Sequence, residues 1–169
     1  VNNGYYSHRE IQLAFMSYID SQLVQVTEHM ASTALAKHEQ PMRDYLALWH
    51  GEYSNIDSVS DSFIAYEPSA PDGEIRGRSA FEAYIRELRT AFPDFAITVN
   101  AALEGEDIVM TEWTGSGTHE GEFNGVPPTG RTFEHRGMSK FVIASGKIEE
   151  ERMYYDPREI AAQLGFLED

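Results

Sequence analysis

The 169-residue sequence contains no cysteine. Without a thiol the chain forms no disulfide, binds no zinc through thiolates and has no cysteine nucleophile. Disulfide-stabilised secreted domains are therefore excluded as a class. Because disulfides persist mainly in oxidising compartments, we expect a cytoplasmic location.

Long apolar runs are also missing. A membrane-spanning helix needs about 20 apolar residues in succession, and the apolar segment at 11–26 is interrupted by Asp20 and several glutamines. Basic residues are few, with 13 Lys and Arg against 28 Asp and Glu, which leaves a net charge of −15. That charge repels phosphate backbones and anionic lipids. We therefore expect neither nucleic-acid binding nor membrane binding.

Short motifs typical of cofactor and metal enzymes do not occur. The sequence has no GxGxxG, P-loop, HExxH or GxSxG motif. His119 and His135 have Glu112 and Glu134 nearby in the sequence, but their spacing matches no familiar metal-ligand motif. We expect no metal and no cofactor.

The residues that are present suit one packed domain. Hydrophobic residues make up 41% of the chain and aromatic residues 12%. A chain of this length buries roughly 70% of its unfolded surface. The composition predicts one core, with aromatic side chains left over to line a cavity.

The first 39 residues are interpreted as a helical extension, and residues 40–169 as the main domain. Apolar residues of the extension recur at steps of three and four, which predicts an amphipathic helix over 8–38. This helix either covers the main domain or pairs with a second subunit, and the second interpretation is slightly favoured. The stripe consists of Ile11, Phe15, Ile19, Leu23, Val26, Met30 and Ala34.

A second helix begins near Pro41, which suits a first helical turn. Met42, Tyr45, Trp49 and Tyr53 then recur every three or four residues. Such a stripe packs in a core more often than it contacts a ligand. Both interpretations stay open for Tyr45, Trp49 and Tyr53.

The rest of the chain contains one more helix and a series of strands. A short strand pattern over 62–66 comes first, and Ser79 and Glu82 then form a capping-box pattern at the start of the helix. After the helix, the strand patterns over 95–104 and 107–114 pair across Gly105, and those over 131–144 and 147–155 pair across Ser145 and Gly146. Helices followed by a run of antiparallel strands predict an α+β fold.

The stretch 111–133 is the most specific part of the sequence. It leaves a strand through Gly115 and Gly117, forms a Gly- and Pro-rich loop and returns as another strand. Its segment GTHEGEFNGVPPTGR resembles the signature of the SnoaL-like polyketide cyclases of the NTF2-like superfamily. AFPDF, GED, GKIEE and an aspartate before QLG follow the pattern of the same family. The resemblance extends over 40–166.

The resemblance implies an NTF2-like fold, in which a cone-shaped, curved antiparallel or mixed sheet wraps around N-terminal helices. An additional N-terminal helix would precede this domain. It also implies a small hydrophobic or carbonyl-containing ligand, and cofactor-independent acid/base catalysis. The expected reaction is a polyketide- or ester-cyclase-type intramolecular aldol condensation or a related isomerisation. Related folds associate through the open sheet, so we expect a homodimer or homotetramer.

Asp156 is the first candidate for the acid/base group. In the resembled family, the aspartate before the QLG helix removes a proton from the carbon between two carbonyls. Strict alternation puts Glu150, Arg152, Tyr154 and Asp156 on one strand face, which would line the hollow. Alternatively, Asp156 and Pro157 simply start a helix, and capping would lower the pKa that catalysis needs raised.

The other candidates surround this aspartate. His119 and His135 flank the PPTG loop, and either can polarise a carbonyl, although His119 also suits a structural bond across the loop. Arg152 replaces a tryptophan common in the family; it either clamps an anionic oxygen or neutralises Glu150. The predicted ligand-binding residues are Arg152, Tyr154, Glu150, Trp113, Trp49, Tyr53, Phe123 and Phe141.

Two other functions remain open from the sequence. Similar folds host hydroxylases and dehydratases that use the same cavity for different reactions. The chain could also be a ligand-binding or assembly module without catalysis, in which Asp156 only caps a helix.

Overall fold

The computed structural model describes residue 35 and residues 37–167. The helix predicted over 8–38 lies almost wholly outside the described residues, so the helix and its role stay predictions. The elements, in chain order, are α1 (Glu39–Trp49), a 3₁₀ helix (Tyr53–Ser58), β1 (Val59–Tyr66), β2 (Ile75–Arg76), α2 (Arg78–Ala91), β3 (Ala96–Glu104), β4 (Ile108–Thr118), β5 (Thr132–Ala144), β6 (Lys147–Tyr154) and α3 (Pro157–Leu164).

The six strands form one curved sheet in the order β2-β1-β6-β5-β4-β3. β1 and β6 pair in parallel, and every other neighbouring pair is antiparallel. The predicted α+β class with a mixed sheet and preceding helices is confirmed. Both long hairpins occur where the turn residues predicted them, although β4 extends four residues further than expected, to Thr118.

The core forms where α1 and α2 pack on the sheet. The predicted stripe is confirmed for Met42, Tyr45 and Trp49, which are buried. Its fourth member, Tyr53, lies beyond α1 in the 3₁₀ helix and is half-buried. The ring of Tyr45 stacks on Phe81 of α2 at 5.7 Å. Aromatic pairs of this kind contribute about 0.5–1.5 kcal/mol beyond their buried area. The two helices are thus joined through aromatic rings that also reach the sheet.

The predicted serine cap of α2 is wrong. The helix begins two residues earlier than that cap implies, at Arg78, and its N-cap is Gly77, with φ of 88° and no capping side chain. Ser79 therefore lies inside the first turn, where its hydroxyl cannot take the capping position. Glu82 instead accepts hydrogen bonds from Arg86, one turn further along the helix.

A β-bulge interrupts β6. Its register against β5 steps from Ile143 opposite Ile148 to Val142 opposite Glu150, so Glu149 is an extra residue on β6. A bulge of one residue reverses the faces of all side chains that follow it. Both Ile148 and Met153 are buried, although they are five positions apart. An uninterrupted strand could not bury both, and the bulge resolves this conflict.

The bulge overturns the predicted orientation of β6. Glu151 and Met153 face inward, and Glu151 is only 3% exposed. Tyr154 is 57% exposed, and Arg152 lies on the same outer side. The prediction that the even-numbered side chains of this strand face the hollow is wrong beyond the bulge.

No helix within the described ranges has both the length and the apolar character needed to cross a bilayer.

Candidate active site

A cavity of about 290 Å³ lies between the helices and the inner face of the sheet. Its walls come from all three helices, from β3 to β6 and from the loop after β4. Most of the wall is apolar and aromatic. The polar groups that reach it include the carboxyls of Glu67 and Glu151, two histidines and the phenol of Tyr155. An apolar cavity with a few convergent polar groups is the usual form of a small-molecule site.

Glu151 supplies the first carboxyl, from the inward face of β6. The phenol of Tyr45 donates a hydrogen bond to its Oε2. Burial raises the pKa of Glu151 to about 8, against the hydrogen bonds of Tyr45 and Ser139, and the charge of Glu67 adds to the rise. The carboxyl is therefore mostly protonated at neutral pH and ionises just above it.

Glu67 supplies the second carboxyl, directly after β1. Its Oε1 accepts hydrogen bonds from the phenol of Tyr155 and from the backbone N–H of Ser69 at 2.8 Å. Burial raises the pKa of Glu67, and these hydrogen bonds oppose the rise. The cavity thus contains two carboxyls, and a tyrosine holds one oxygen of each.

His135 lies on β5 directly opposite Gly115 of β4. A Cβ at Gly115 would lie 2.8 Å from Cε1 of the ring, so glycine lets the imidazole lie against β4. The ring packs at 5.2 Å from Trp113 and 5.0 Å from Tyr155. Burial lowers the pKa of His135 to about 4, although the Gly115 backbone opposes the shift. The imidazole is therefore neutral at physiological pH.

Trp113 is fixed by a polar and a steric contact. Its Nε1 donates a hydrogen bond to Oγ of Ser139 at 2.9 Å. Its ring lies across Gly137 of the neighbouring strand, where a Cβ would overlap the indole. Trp113, Trp49, Phe123 and Phe141 all line the cavity. Their predicted contact with a ligand stays a prediction.

His119 also lines the cavity and is fully buried. Its Nδ1 accepts from the backbone N–H of Thr129 at 3.3 Å, and its own backbone pairs with Arg131 and Gly130 across the loop. This is the bond across the loop that its position in the sequence suggested. Burial lowers the pKa of His119. The ring packs at 5.1 Å on Phe92.

Asp156 does not face the cavity. Its side chain is exposed and accepts a hydrogen bond from the backbone N–H of Arg158 at 2.9 Å, as the N-cap of α3. Pro157 takes the first helical position. The capping interpretation is therefore the one that the geometry favours, and the catalytic role predicted for Asp156 loses its structural basis.

Four predicted ligand-binding residues lie outside the cavity wall. Arg152 Nε donates to Glu150 at 2.7 Å, and its guanidinium lies 3.8 Å above the ring centre of Tyr66. Of the two roles predicted for Arg152, the structure thus shows the neutralisation of Glu150. Arg152 lies on the outer face of the sheet, as Tyr154 does. Tyr53 is half-buried, with the Arg86 guanidinium 3.7 Å from its ring centre. The prediction that these four residues, Glu150, Arg152, Tyr154 and Tyr53, bind a ligand in the cavity is wrong in position.

Glu67, Glu151, Ser139 and Tyr155 were missed by the sequence reasoning. For Glu151 a signal existed, since apolar residues at 148 and 153 cannot share one face of a regular strand. Their conflict indicates a bulge and places Glu151 inside. Nothing comparable marks Glu67, whose burial depends on the distant Tyr155.

Within the described residues, no group of three or more His, Asp or Glu side chains is arranged to hold a metal ion.

The fold and the cavity define a small-molecule-binding protein of the NTF2-like class. The sequence model of the family described as SnoaL-like polyketide cyclase matches residues 40–164. The chain belongs to this family.

Solved structures agree with this assignment. AclR, a proposed hydroxylase from Streptomyces galilaeus, is 26% identical with a TM-score of 0.67, and the match covers 80% of this chain and 85% of AclR. IdmH, a proposed polyketide cyclase from Streptomyces antibioticus, is 25% identical with a TM-score of 0.64, covering 76% of this chain and 99% of IdmH. TsrD from Streptomyces laurentii is 24% identical with a TM-score of 0.69, covering 80% and 99%. None of the curated proteins is similar enough in sequence to match this chain.

Proposed function

We propose that the protein is a cofactor-independent acid/base enzyme that cyclises or isomerises an apolar carbonyl compound, with Glu151 as the acid/base group. The single observation that carries the proposal is the Glu151 carboxyl. It lies on the wall of an apolar cavity with one oxygen held by Tyr45 and a pKa of about 8. A carboxyl with a pKa near working pH is suited to both halves of a proton-transfer cycle.

The proposed reaction is an intramolecular aldol condensation. The ionised carboxyl of Glu151 takes a proton from a carbon next to a carbonyl, which leaves an enolate. That carbon then bonds to a second carbonyl carbon of the same molecule, whose oxygen becomes an alkoxide. The protonated Glu151 returns its proton to the alkoxide. Atoms and electrons balance without an oxidant, reductant or metal.

The cavity supplies two further conditions for this chemistry. Aromatic walls from α1 and β5, including Trp49 and Phe141, can hold a flexible substrate folded so that its reacting carbons approach. The same walls keep water away from the carboxyl, and this desolvation strengthens it as a base. Neutral His135 is a candidate hydrogen-bond partner for a substrate oxygen.

The test uses 2-tetralone, a bicyclic apolar ketone, and follows exchange of its α-hydrogens for deuterium by NMR. We expect the protein to accelerate exchange, with a rate that rises with pH and reaches half its maximum at about pH 8. Glu151→Gln should slow it by at least ~100-fold, the usual contribution of a positioned base. The matched control is Glu150→Gln, which removes a carboxyl from the outer face of the same strand. Equal exchange rates for Glu151→Gln and the parent protein would refute the assignment.

A non-catalytic ligand-binding role is the second candidate. It is favoured by the Tyr45 hydrogen bond, which already engages one oxygen of Glu151. In that case 2-tetralone would bind in the cavity without any enhancement of exchange. The homodimer or homotetramer, the cytoplasmic location and the boundary at residue 39 stay predictions.

A further inference from the structure

Glu67 is a buried carboxyl that the proposed reaction does not use. The residue directly follows β1, is only 3% exposed, and lines the same cavity as Glu151. Burying a carboxyl costs free energy unless partners compensate it. The positions of its hydrogen bonds therefore indicate what it is placed to bind.

Both hydrogen bonds of Glu67 reach the same oxygen. The phenol of Tyr155 and the backbone N–H of Ser69 donate to Oε1. The hydroxyl of Ser69 lies 2.7 Å from the phenol oxygen of Tyr155, which ties the two donors together. Oε2 has no hydrogen-bond partner in the part of the chain that the structure describes. One oxygen is thus fixed and the other is left for a further donor.

Positive charge is missing from the wall of this cavity. None of the described residues that line it is a lysine or an arginine. Its histidines do not supply a cation either, because burial lowers the pKa of both rings. A carboxylate at Glu67 therefore has a phenol and an amide as partners but no countercharge.

We propose that Glu67 binds the protonated amine of an amine-bearing apolar ligand, with Oε2 as the acceptor. The inference rests on the proposed function in one respect: it takes this cavity as the substrate site. It goes further in naming the substrate class, a carbonyl compound that also carries a basic nitrogen. Glu67 is then a specificity-determining residue, distinct from the acid/base group Glu151.

An ammonium group fits the surroundings better than a neutral hydroxyl. A hydroxyl would satisfy Oε2 but leave the charge of the carboxylate uncompensated among apolar side chains. The rings of Tyr84 and Tyr155 line this end of the cavity, and aromatic faces attract ammonium ions. The charge of Glu67 also contributes to the raised pKa of both phenols, which places them within its electrostatic reach.

The experiment compares three probes with one bicyclic skeleton: 2-aminotetralin, 2-tetralol and tetralin. They present an ammonium, a hydroxyl and a hydrogen at the same position. We expect 2-aminotetralin to bind at least ~10-fold more tightly than the other two, measured by calorimetry. If 2-tetralol binds as tightly as the amine, or if the three probes bind equally, the proposal is overturned.

Glu67→Gln tests the residue itself. The glutamine keeps the shape and can still accept from Tyr155 and Ser69, but it carries no charge. We expect it to lose the preference for the amine while binding tetralin within ~2-fold of the parent protein. Glu150→Gln, a carboxyl-to-amide change on the outer face, should keep the preference. An amine preference that survives in Glu67→Gln would sink the proposal.

Two further measurements distinguish binding at Glu67 from binding elsewhere on the protein. The acidic surface attracts any cation, but that attraction is largely screened beyond ~4 Å at 0.5 M salt, so the amine preference must persist there. In the parent protein, NOEs should place the amine-bearing ring of bound 2-aminotetralin beside Ser69 and Asn124. Placement beside Met42 and Phe141 instead would overturn the proposal, even if Glu67→Gln failed to fold.

Failure of this inference and failure of the proposed function give different results. Both assignments are tested in the parent protein, where exchange of the α-hydrogens of 2-tetralone reports on Glu151 and the amine preference reports on Glu67. Exchange together with an amine preference supports both assignments, whereas exchange without an amine preference overturns this inference and leaves the proposed function standing. Retained amine preference in the parent protein without exchange would support the role of Glu67 alone.

Discussion

Tyr45 and Glu151, which are 106 positions apart in the sequence, are joined by one fully buried hydrogen bond. The phenol comes from the first described helix and the carboxyl from the last strand. The bond lies where α1 crosses the sheet, so packing of the helix determines the ionisation of a group on the cavity wall. Tyr45 itself stays protonated, because burial and the neighbouring carboxyl raise its pKa.

Tyr45→Phe should move the pH dependence of catalysis. The phenol stabilises the ionised form of Glu151, so its removal raises the pKa of Glu151 above the present value of about 8. The rate of 2-tetralone exchange should then reach half its maximum at a higher pH than in the parent protein. The variant should also lose about 1 kcal/mol of unfolding free energy, as for one buried hydrogen bond. Tyr66→Phe, on the outer face, serves as control, and an unchanged midpoint would contradict the prediction.

Glu151 should make the fold less stable as pH rises. Its pKa increases from 4.5 to about 8 on folding, so its stabilising contribution is complete below pH about 4.5 and is lost as pH rises to about 8. The loss amounts to roughly 5 kcal/mol at ~1.4 kcal/mol per pH unit. Urea unfolding of the parent protein and Glu151→Gln across this range measures it. A constant difference between the two would disprove the prediction.

His135 should make the fold more stable as pH rises, which is the opposite of the effect of Glu151. Its pKa falls from 6.5 to about 4 on folding, so its contribution is present above pH about 6.5 and is lost as pH falls toward 4. The loss is roughly 3 kcal/mol. In His135→Gln the unfolding free energy should therefore depend less on pH between 4 and 6.5, and its pH dependence between 6.5 and 8 should be the same as in the parent protein. If the unfolding free energy of His135→Gln fell between pH 6.5 and 4 as much as that of the parent protein, the buried imidazole would not be the cause of the loss.

Gly137→Ala should displace Trp113. The added Cβ would overlap the indole ring that lies across Gly137, and the hydrogen bond from Trp113 to Ser139 would be strained. Overpacking of this kind costs about 1–3 kcal/mol. Gly105→Ala is the matched control, because its Cβ would meet its nearest atom at 3.5 Å. Thermal unfolding and tryptophan fluorescence should both change in the first variant alone.

Asp156→Ala should weaken the fold without removing catalysis. It deletes the side-chain cap of α3, which costs about 1 kcal/mol. Asp156→Asn should keep most of that stability, because asparagine caps helices as well. Both variants should catalyse exchange of the α-hydrogens of 2-tetralone at nearly the rate of the parent protein. Loss of exchange in the asparagine variant, with its stability intact, would restore the catalytic role first predicted for Asp156.

Much of the fold could be predicted from local patterns. The apolar steps at Met42, Tyr45 and Trp49 gave α1 its buried face, and the turn at Ser145 and Gly146 located the β5–β6 hairpin. Pro157 after an aspartate marked the start of α3. These features depend on residues that are close together in the sequence, so they can be recognised from one sequence alone.

The candidate site was much less predictable. Strict alternation gave the wrong face to β6, because the bulge at Glu149 is a feature of strand pairing and not of the strand alone. The burial of Glu67 depends on Tyr155, 88 positions later. Contacts of that range have no local signature, and they determine which carboxyls lie in the cavity.

The single additional residue in β6 has a consequence for comparing relatives. The bulge accommodates Glu149, so deleting this residue would leave a regular strand on which Glu151 and Met153 still face inward. A relative that lacks the additional residue therefore has its equivalent of Glu151 two positions after its equivalent of Ile148, where this chain has it three positions after. An alignment without a gap at this point would equate a residue that meets substrate with one that meets water.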